Sequence, residues 1–294
     1  MVQKSISRNN GRHRELLARA PGELLAGPLQ RLGEGIGKVV YASPHWVVKR
    51  ERSPSEILAL IVTWKLLRRV QKFVPGAGAR LRFQHPSKQI RLLRVAAQTI
   101  VSVLPRTWWY TTHAWEVLKQ YHRSSKRGER LAELHLMGTR MVPETIEFPP
   151  VRVQVSGWPG YLTVSEATER VEADLFRYLN GLASHERFEE VELWLNRLLD
   201  LRQAGWSQGV FSVDAHLKNF GVIGDRVVLL DPGGLTDKWT DIERRLEFED
   251  KVEEPHAVLG LGEILAPRPD IAERFNARWK DTVNEETIRE RWPD

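Results

Sequence analysis

The chain has no cysteine among its 294 residues. That absence excludes disulfides, thiolate zinc sites, iron–sulfur clusters and a cysteine nucleophile. Long apolar runs are missing as well, and because a membrane-spanning helix needs about 18 consecutive apolar residues, the sequence predicts none. Residues 1–20 are polar and basic without an apolar core, which is not the pattern of a secretory signal. We therefore expect a cytoplasmic protein.

Acidic residues are scarce in one part of the chain only. The whole sequence carries 44 Lys and Arg against 38 Asp and Glu, a formal net charge of +6. Residues 50–130 hold 17 of the basic residues and four of the acidic ones, which gives this basic block a net charge of +13 and leaves −7 for the remainder. A basic block beside an acidic remainder favours an anionic partner, such as phosphate, nucleic acid or a membrane surface.

The first half of the chain combines strand patterns with basic helical ones. Residues 32–41 are typical of a glycine-rich turn leading into a strand, and residues 45–49 of a second strand. Ser53 and Glu56 have the spacing of a capping box around Pro54, which predicts a helix start. Helices are expected over residues 14–19, 57–74, 88–104 and 113–137, the last of them broken near Gly128.

The second half is mainly helical, with two hairpins. Alternating apolar residues predict a first hairpin between residues 151–155 and 161–164 and a second between residues 221–223 and 227–230, across Gly224. Helical patterns occupy residues 170–180, residues 188–205 and the charged tail after Thr240. This order of elements predicts an α+β protein with two lobes.

The stretch from Phe211 to Gly233 carries the strongest chemical signal. Asp214 is followed by Asn219 five residues later, then by a tight hairpin, and Asp231 stands at the exit of that hairpin. In phosphoryl transfer, an aspartate in the first position orients and deprotonates the attacking hydroxyl, while an asparagine and a second aspartate hold magnesium against the nucleotide phosphates. Taken singly, each of the three is also explained as a turn or surface residue.

The spacing D-x-H-x-x-N, with His216 two residues after Asp214, resembles the small-molecule branch of the protein-kinase-like superfamily. That branch includes aminoglycoside and choline kinases and the bacterial lipopolysaccharide (Kdo/heptose) kinases. The resemblance extends over residues 32–237. It implies a two-lobed protein-kinase-like fold, with a small β-rich N-lobe that contains a helical insertion and a mainly helical C-lobe. The implied parts are an N-terminal arm (1–28), an N-lobe (29–165, with the basic helical insertion at about 53–110) and a C-lobe (166–294).

The same resemblance implies roles for residues upstream of Asp214. Gly33, Gly35 and Gly37 resemble the loop whose backbone amides cover the ATP phosphates, although they depart from the full G-x-G-x-x-G pattern. Lys49 resembles the strand lysine that neutralises the α- and β-phosphates. Glu166 marks the hinge strand, where backbone groups would hydrogen-bond adenine.

The helix glutamate that would pair with Lys49 is left open. Glu116 is slightly favoured over Glu129, with Glu133 as a further candidate, whereas Glu56 is explained as the acid of the capping box. The residues directly before Asp214, Ser212 and Val213, depart from the His-Arg or His-Gly that is usual in the family.

The resemblance implies an ATP- and Mg²⁺-dependent phosphotransferase acting on a hydroxyl acceptor. We expect the acceptor to be a lipopolysaccharide-core-type sugar, because basic amphipathic helices with aromatic margins suit an anionic membrane interface, which would place the protein on the inner face of the membrane. One alternative is a soluble small-molecule (aminoglycoside-like) or protein Ser/Thr kinase. Another is a pseudokinase binding module that docks on membrane or nucleic acid through the basic helices. No recognised nucleic-acid motif accompanies the charge.

Overall fold

The computed structural model describes residues 15–17, 19–34, 37–53, 55–57, 59–60, 63, 123–157, 160–251, 258 and 260–293. It is a mixed α/β structure that divides into two compact units. The first unit comprises residues 1–18, 124–148 and 168–294, and the second comprises residues 19–123 and 149–167.

The strands, in chain order, are β1 (Glu15–Leu16), β2 (Gln30–Glu34), β3 (Lys38–Ala42), β4 (Trp46–Glu51), β5 (Thr145–Gln154), β6 (Tyr161–Glu169), β7 (Ala173–Asp174), β8 (Phe211–Ser212), β9 (Phe220–Ile223), β10 (Arg226–Leu229) and β11 (Leu235–Thr236). The helices are α1 (residues 123–135), α2 (Leu175–Ser184), α3 (Phe188–Trp206), α4 (Trp239–Lys251), α5 (Leu261–Leu265), α6 (Pro269–Thr282) and α7 (Glu285–Arg291). Short 3-10 turns occur at Gly22–Leu24, Leu217–Asn219 and Pro232–Gly234. No helix within these described ranges has the length and hydropathy that a membrane span requires.

A six-stranded sheet has the order β1-β5-β6-β4-β3-β2. Strands β2, β3 and β4 form an antiparallel meander in which Val40 lies opposite Lys49, so the predicted strand over residues 45–49 is confirmed as β4. The predicted hairpin partners at 151–155 and 161–164 fall in the neighbouring strands β5 and β6. The glycine-rich segment differs from its prediction, because Gly33 lies inside β2 beside a register shift rather than in the turn.

Two local predictions in the second unit and at the N-terminus had different outcomes. The capping box is confirmed, since the Ser53 amide donates to Glu56 Oε2 at 2.8 Å and the Glu56 amide donates to Ser53 Oγ at 3.3 Å, and residues 55–57 are helical. The helix predicted over residues 14–19 is wrong. Glu15–Leu16 instead pairs in parallel with β5, whose edge offers main-chain partners that override a weak helical preference.

The first unit is built around helices α2 and α3 and a small sheet of order β10-β9-β7. The prediction for residues 188–205 is confirmed by α3, and the second hairpin is confirmed by β9 and β10. The helix predicted over 170–180 begins later, at Leu175, because Ala173–Asp174 pairs with β9 and the Asp174 carboxylate caps the helix by accepting from the Arg177 amide at 2.9 Å.

The core of the first unit is apolar and continuous from helices to hairpin. Its fully buried members include Leu175 and Leu179 of α2, Leu195 and Leu198 of α3, and Phe220 of β9.

The break predicted near Gly128 is wrong, because α1 runs without interruption over residues 123–135. Of the helix predicted over 57–74, residues 57, 59, 60 and 63 are described, and all four are helical. The helix predicted over 88–104 lies outside the described residues, as do Gly35 and Glu116.

Candidate functional site

Asp214 follows a strand that is anchored in the core. Phe211 of β8 is fully buried, with its ring stacked on Trp206 at a centroid distance of 6.4 Å. The guanidinium of the buried Arg202 lies 5.0 Å from the Phe211 ring and 4.8 Å from the ring of Trp279. These contacts fix the strand that delivers Asp214 to the surface, since an aromatic side chain in a packed core has little freedom to move.

The loop after β8 alternates between buried apolar and exposed polar residues. Ala215 and Leu217 are buried, whereas Asp214 and Lys218 are exposed. The Asp214 side chain accepts a hydrogen bond from the His216 amide through Oδ1 at 3.1 Å, which makes an Asx-type turn. The apolar anchors therefore hold the backbone while the polar side chains remain accessible to a ligand.

Asn219 joins this loop to Asp231 through main-chain bonds. Its amide donates to the His216 carbonyl at 2.8 Å and closes the 3-10 turn. Its carbonyl accepts from the amides of Leu230 at 2.8 Å and Asp231 at 3.3 Å. The β9–β10 hairpin between them turns at Gly224, whose φ of 58° is in the left-handed region that glycine tolerates best. The hairpin thus returns the chain so that Asp231 lies beside Asn219.

The turn after Asp231 packs directly against Asp214. Asp231 Oδ1 accepts from the Gly233 amide at 2.9 Å and caps the 3-10 turn Pro232–Gly234, whose last carbonyl accepts from the Val213 amide at 2.9 Å. A Cβ added at Gly234 would stand 2.9 Å from Asp214 Cβ, closer than such atoms approach. The second glycine of the Pro-Gly-Gly sequence is therefore what permits the two aspartate-bearing segments to meet.

Helix α1 supports the same turn from another direction. Ser124 Oγ donates to the Gly233 carbonyl at 3.0 Å, and a Cβ at Gly128 would lie 1.9 Å from the Pro232 carbonyl oxygen. Gly128, which the sequence pattern suggested as a helix break, is a position where the helix and the Asp231 turn are in close contact. Its role depends on a residue more than a hundred positions away, and no local signal could have revealed it.

Arg127, the neighbour of Gly128, connects α1 to the segment that follows the turn. Its guanidinium contacts the carboxylates of Asp237 and Asp241, the latter at 3.5 Å, and donates to Thr236 Oγ1 at 3.4 Å. The hydrogen bond from Arg127 lowers the pKa of Asp237 below its ordinary value. Thr236 Oγ1 also donates to Asp241 at 2.8 Å, so the residues after Asp231 are tied to α1 and α4.

Two side chains of this cluster, those of Asn219 and Asp231, have oxygen atoms that could bind a cation. Oδ2 of Asp231 and the side-chain amide of Asn219 have no hydrogen-bond partner in the described part of the chain. Magnesium prefers a few protein oxygens completed by phosphate and water, and the pair fits that donor set. Among the described residues, no group of three or more histidine, aspartate or glutamate side chains is arranged to hold a metal ion.

The other predicted site residues belong to the second unit. Gly33 lies in β2, Gly37 directly precedes β3, Lys49 is exposed on β4 and Glu166 is exposed on β6. Their roles stay predictions, as do those of Gly35 and Glu116, which are outside the described residues.

Glu56 is bound to Arg50 as well as to Ser53. Both of its oxygens accept from the Arg50 guanidinium at 3.0 Å. This contact, more than any other, lowers the pKa of Glu56 to about 2. The capping-box explanation of this glutamate is thereby confirmed, and the glutamate partner of Lys49 stays a prediction.

The structure therefore brings together Asp214, Asn219 and Asp231 and adds Gly128, Gly234 and Arg127, which sequence reasoning had not assigned to the site. Comparison with protein-family profiles and with curated proteins finds no match to this chain.

Proposed function

We propose that the protein is an ATP- and Mg²⁺-dependent phosphotransferase that acts on a hydroxyl acceptor. The observation that carries the proposal is the cluster in which the carbonyl of Asn219 accepts from the Asp231 amide while Gly234 packs on Asp214. Main-chain bonds and this glycine contact thus bring together, within the first unit, the segments that carry the three side chains. Their order along the chain is that of the base and the two metal ligands in phosphoryl transfer.

Asp214 would act as the catalytic base. Its Oδ1 is engaged by the His216 amide, so Oδ2 is the oxygen that can accept the proton of the acceptor hydroxyl. The deprotonated hydroxyl oxygen forms a bond to the γ-phosphorus as the bond from that phosphorus to the β–γ bridging oxygen breaks. ADP leaves with the electron pair, and Asp214 later returns its proton to solvent.

Asn219 and Asp231 would hold the magnesium ion. When bound, magnesium neutralises charge on the nucleotide phosphates. The hydrogen bond from the Gly233 amide to Asp231 Oδ1 orients this carboxylate before any ligand arrives. Such preorganisation reduces the reorganisation needed when substrate binds.

The second unit supports the two-lobed kinase-like fold that we propose for the whole chain. Lys49 lies on the third strand of the β2–β3–β4 meander, and kinases place their phosphate-binding lysine on the third strand of the small lobe. In this proposal Lys49 neutralises the α- and β-phosphates, Gly33, Gly35 and Gly37 form the covering loop, and the hinge near Glu166 binds adenine.

The acceptor we favour is an anionic lipid-linked sugar such as the lipopolysaccharide core. The basic block at residues 50–130, with its net charge of +13, favours binding to an anionic surface. A soluble small-molecule or protein Ser/Thr kinase is the second candidate, and the acidic remainder of the chain, with its net charge of −7, leaves a cationic acceptor open. A pseudokinase binding module is the third candidate. Turnover of ATP distinguishes it from the other two, because a pseudokinase would transfer no phosphate.

The test is phosphate transfer from γ-labelled ATP, measured together with Mg·ADP binding by calorimetry. We expect Asp214→Asn to lower transfer by about 10²- to 10⁴-fold with little change in Mg·ADP affinity, because only the base is lost. We expect Asp231→Asn to weaken Mg·ADP binding by about tenfold or more. Asp225→Asn is the matched control, since this aspartate is 81% exposed in the turn of the same hairpin.

The control variant should behave as the wild type in both measurements. If the wild-type protein bound no Mg·ATP and Asp231→Asn changed nothing, the enzymatic proposal would be lost. If Mg·ATP bound without transfer or hydrolysis under any condition, the binding-module alternative would be favoured.

A further inference from the structure

Lys218 has a defined position in the loop that carries Asp214. Its side chain is exposed, and Nζ lies 4.9 Å from the ring centroid of Phe176, in the first turn of α2. Its amide donates to Nδ1 of His216 at 3.2 Å, which fixes the backbone from which the side chain leaves. A lysine over an aromatic face at this distance is in the range of a cation–π contact.

The ring under Lys218 is itself held in place. A Cβ added at Gly260 would stand 3.0 Å from the Phe176 ring and 3.8 Å from Cε1 of His216. Gly260 has a φ of 97° and precedes α5, so both its conformation and its contacts require glycine. Phe176, His216 and Gly260 therefore pack together, and the ammonium group has a rigid support beside the proposed catalytic loop.

The charge of Lys218 is not neutralised by the residues that the structure describes. No carboxylate among them lies within ion-pair distance of its Nζ, whereas the neighbouring Arg177 of α2 is paired with Asp174 at 3.2 Å. An ammonium group has three N–H donors, and contact with a ring face leaves donors for a ligand. A supported and accessible cation of this kind suits a phosphate or carboxylate group.

We propose that Lys218, supported by Phe176, binds an anionic group of the acceptor, a phosphate or a carboxylate, and so selects acceptors that carry negative charge. The inference rests on the proposed function and names the substrate class of the same site. Lys218 is four residues from Asp214 and its side chain is directed to α2, whereas the proposed ligands of the nucleotide phosphates, Asn219 and Asp231, are joined to each other across the hairpin. The anion at Lys218 is therefore assigned to the acceptor, and cationic aminoglycoside-like acceptors are disfavoured.

The first experiment needs no knowledge of the acceptor. The full-length protein is saturated with Mg²⁺ and the non-hydrolysable nucleotide AMP-PNP, so that the γ-phosphate position is filled, and is then titrated calorimetrically with inorganic phosphate. We expect wild type to bind phosphate, Lys218→Met to bind it at least about tenfold more weakly, and Lys218→Arg to bind within about threefold of wild type. Lys280→Met, which removes an exposed lysine of α6, is the matched control and should bind as the wild type.

A second experiment tests the acceptor class directly. Transfer from labelled ATP is measured with hydroxyl compounds of three kinds: hexose phosphates and hexuronic acids, neutral hexoses, and amino sugars. We expect transfer to the anionic compounds only, with KM raised about tenfold or more by Lys218→Met and kcat changed much less, because binding and not the reacting group is altered. Phe176→Leu should shift KM in the same direction by a smaller factor, since it removes the ring but not the charge.

The possible results separate this inference from the proposed function. Equal phosphate binding by wild type and Lys218→Met, or transfer to neutral and amino sugars that this variant does not alter, would overturn it. A tenfold loss of AMP-PNP affinity in Lys218→Met with unchanged phosphate binding would assign the lysine to the nucleotide and overturn it too. If AMP-PNP itself fails to bind, the proposed function fails, and titration of the nucleotide-free protein with phosphate still decides whether Lys218 forms an anion site.

Discussion

Glu56 accepts hydrogen bonds from the Ser53 amide and from both terminal nitrogens of Arg50. These contacts lower its pKa from the ordinary value of 4.5 to about 2. Because the pKa is lower in the folded state, ionised Glu56 stabilises the fold at any pH above the value for the unfolded chain. That contribution is lost progressively as the pH falls from about 4.5 to about 2.

The pH dependence gives a prediction for a single residue. We expect Glu56→Gln to lower the free energy of unfolding by about 1 kcal/mol at pH 7, since the pair with Arg50 is partly exposed and screened. The difference from wild type should shrink between pH 4.5 and pH 2.5, measured by urea unfolding. Glu51→Gln, a change of the same kind on β4, is the control. A difference that stayed constant over this pH range would argue against the ionised cap.

Substitution of Gly234 tests whether the segments that carry Asp214 and Asp231 must be in contact. Its missing side chain leaves room for Asp214, and a methyl group there would stand 2.9 Å from Asp214 Cβ. We expect Gly234→Ala to lower phosphate transfer by about tenfold or more, because small displacements of a catalytic group are costly. Gly27→Ala, at a position where an added Cβ meets no atom within 4 Å, is the control for a glycine substitution as such. Transfer at the wild-type rate in Gly234→Ala would show that this contact does not position Asp214.

At the scale of elements, two helical glycines are expected to differ in how their replacement by alanine changes stability. A methyl group at Gly128 of α1 would collide with the Pro232 carbonyl, whereas one at Gly181 of α2 would meet nothing within 4 Å. We expect Gly128→Ala to destabilise the protein by about 2 kcal/mol or more, because helix and turn must separate. Gly181→Ala should be neutral or stabilising by about 0.5–1 kcal/mol, since alanine favours helix. Thermal unfolding of both variants checks the pair, and equal melting temperatures would contradict the close contact.

The elements that sequence could predict are those whose determinants are local. The capping box at Ser53, the β9–β10 hairpin around Gly224 and helix α3 each depend on residues a few positions apart. The order of Asp214, Asn219 and Asp231 was likewise visible in the sequence. The strand at Glu15–Leu16 and the continuity of α1 through Gly128 were not, because both depend on partners distant in sequence, β5 and Pro232.

The supports of the site were hidden from the sequence for the same reason. Arg127 reaches Thr236 and Asp237 across more than a hundred residues, and Lys218 meets Phe176 only when α2 packs on the loop. A lone arginine or lysine in a basic sequence has no spacing that would distinguish it. Local pattern thus predicted the candidate reacting groups, and tertiary contact identified the residues that hold them in place.

At the scale of the whole molecule, charge is distributed unevenly along the chain. Residues 50–130 have a net charge of +13 and the remainder −7. One reading of this basic block is that its predicted helices pack on each other and on the proposed N-lobe with their arginines solvated. A second is that they bind an anionic membrane interface, and a third is that aromatic residues between the charges stack on nucleic acid. Binding to a membrane interface agrees best with a lipid-linked acceptor, and it can be tested with lipid vesicles.

We expect the full-length protein to sediment with vesicles that contain anionic lipid and not with neutral vesicles. The double variant Arg91→Gln/Arg94→Gln should bind anionic vesicles about thirtyfold more weakly, because each basic residue near such a surface contributes about 1 kcal/mol. Lys280→Gln/Arg291→Gln removes the same charge from exposed positions outside the basic block and should bind almost as the wild type. Equal loss in both variants would indicate attraction by net charge alone, and equal binding by all three proteins would remove the membrane from the proposal while leaving the phosphotransferase site untouched.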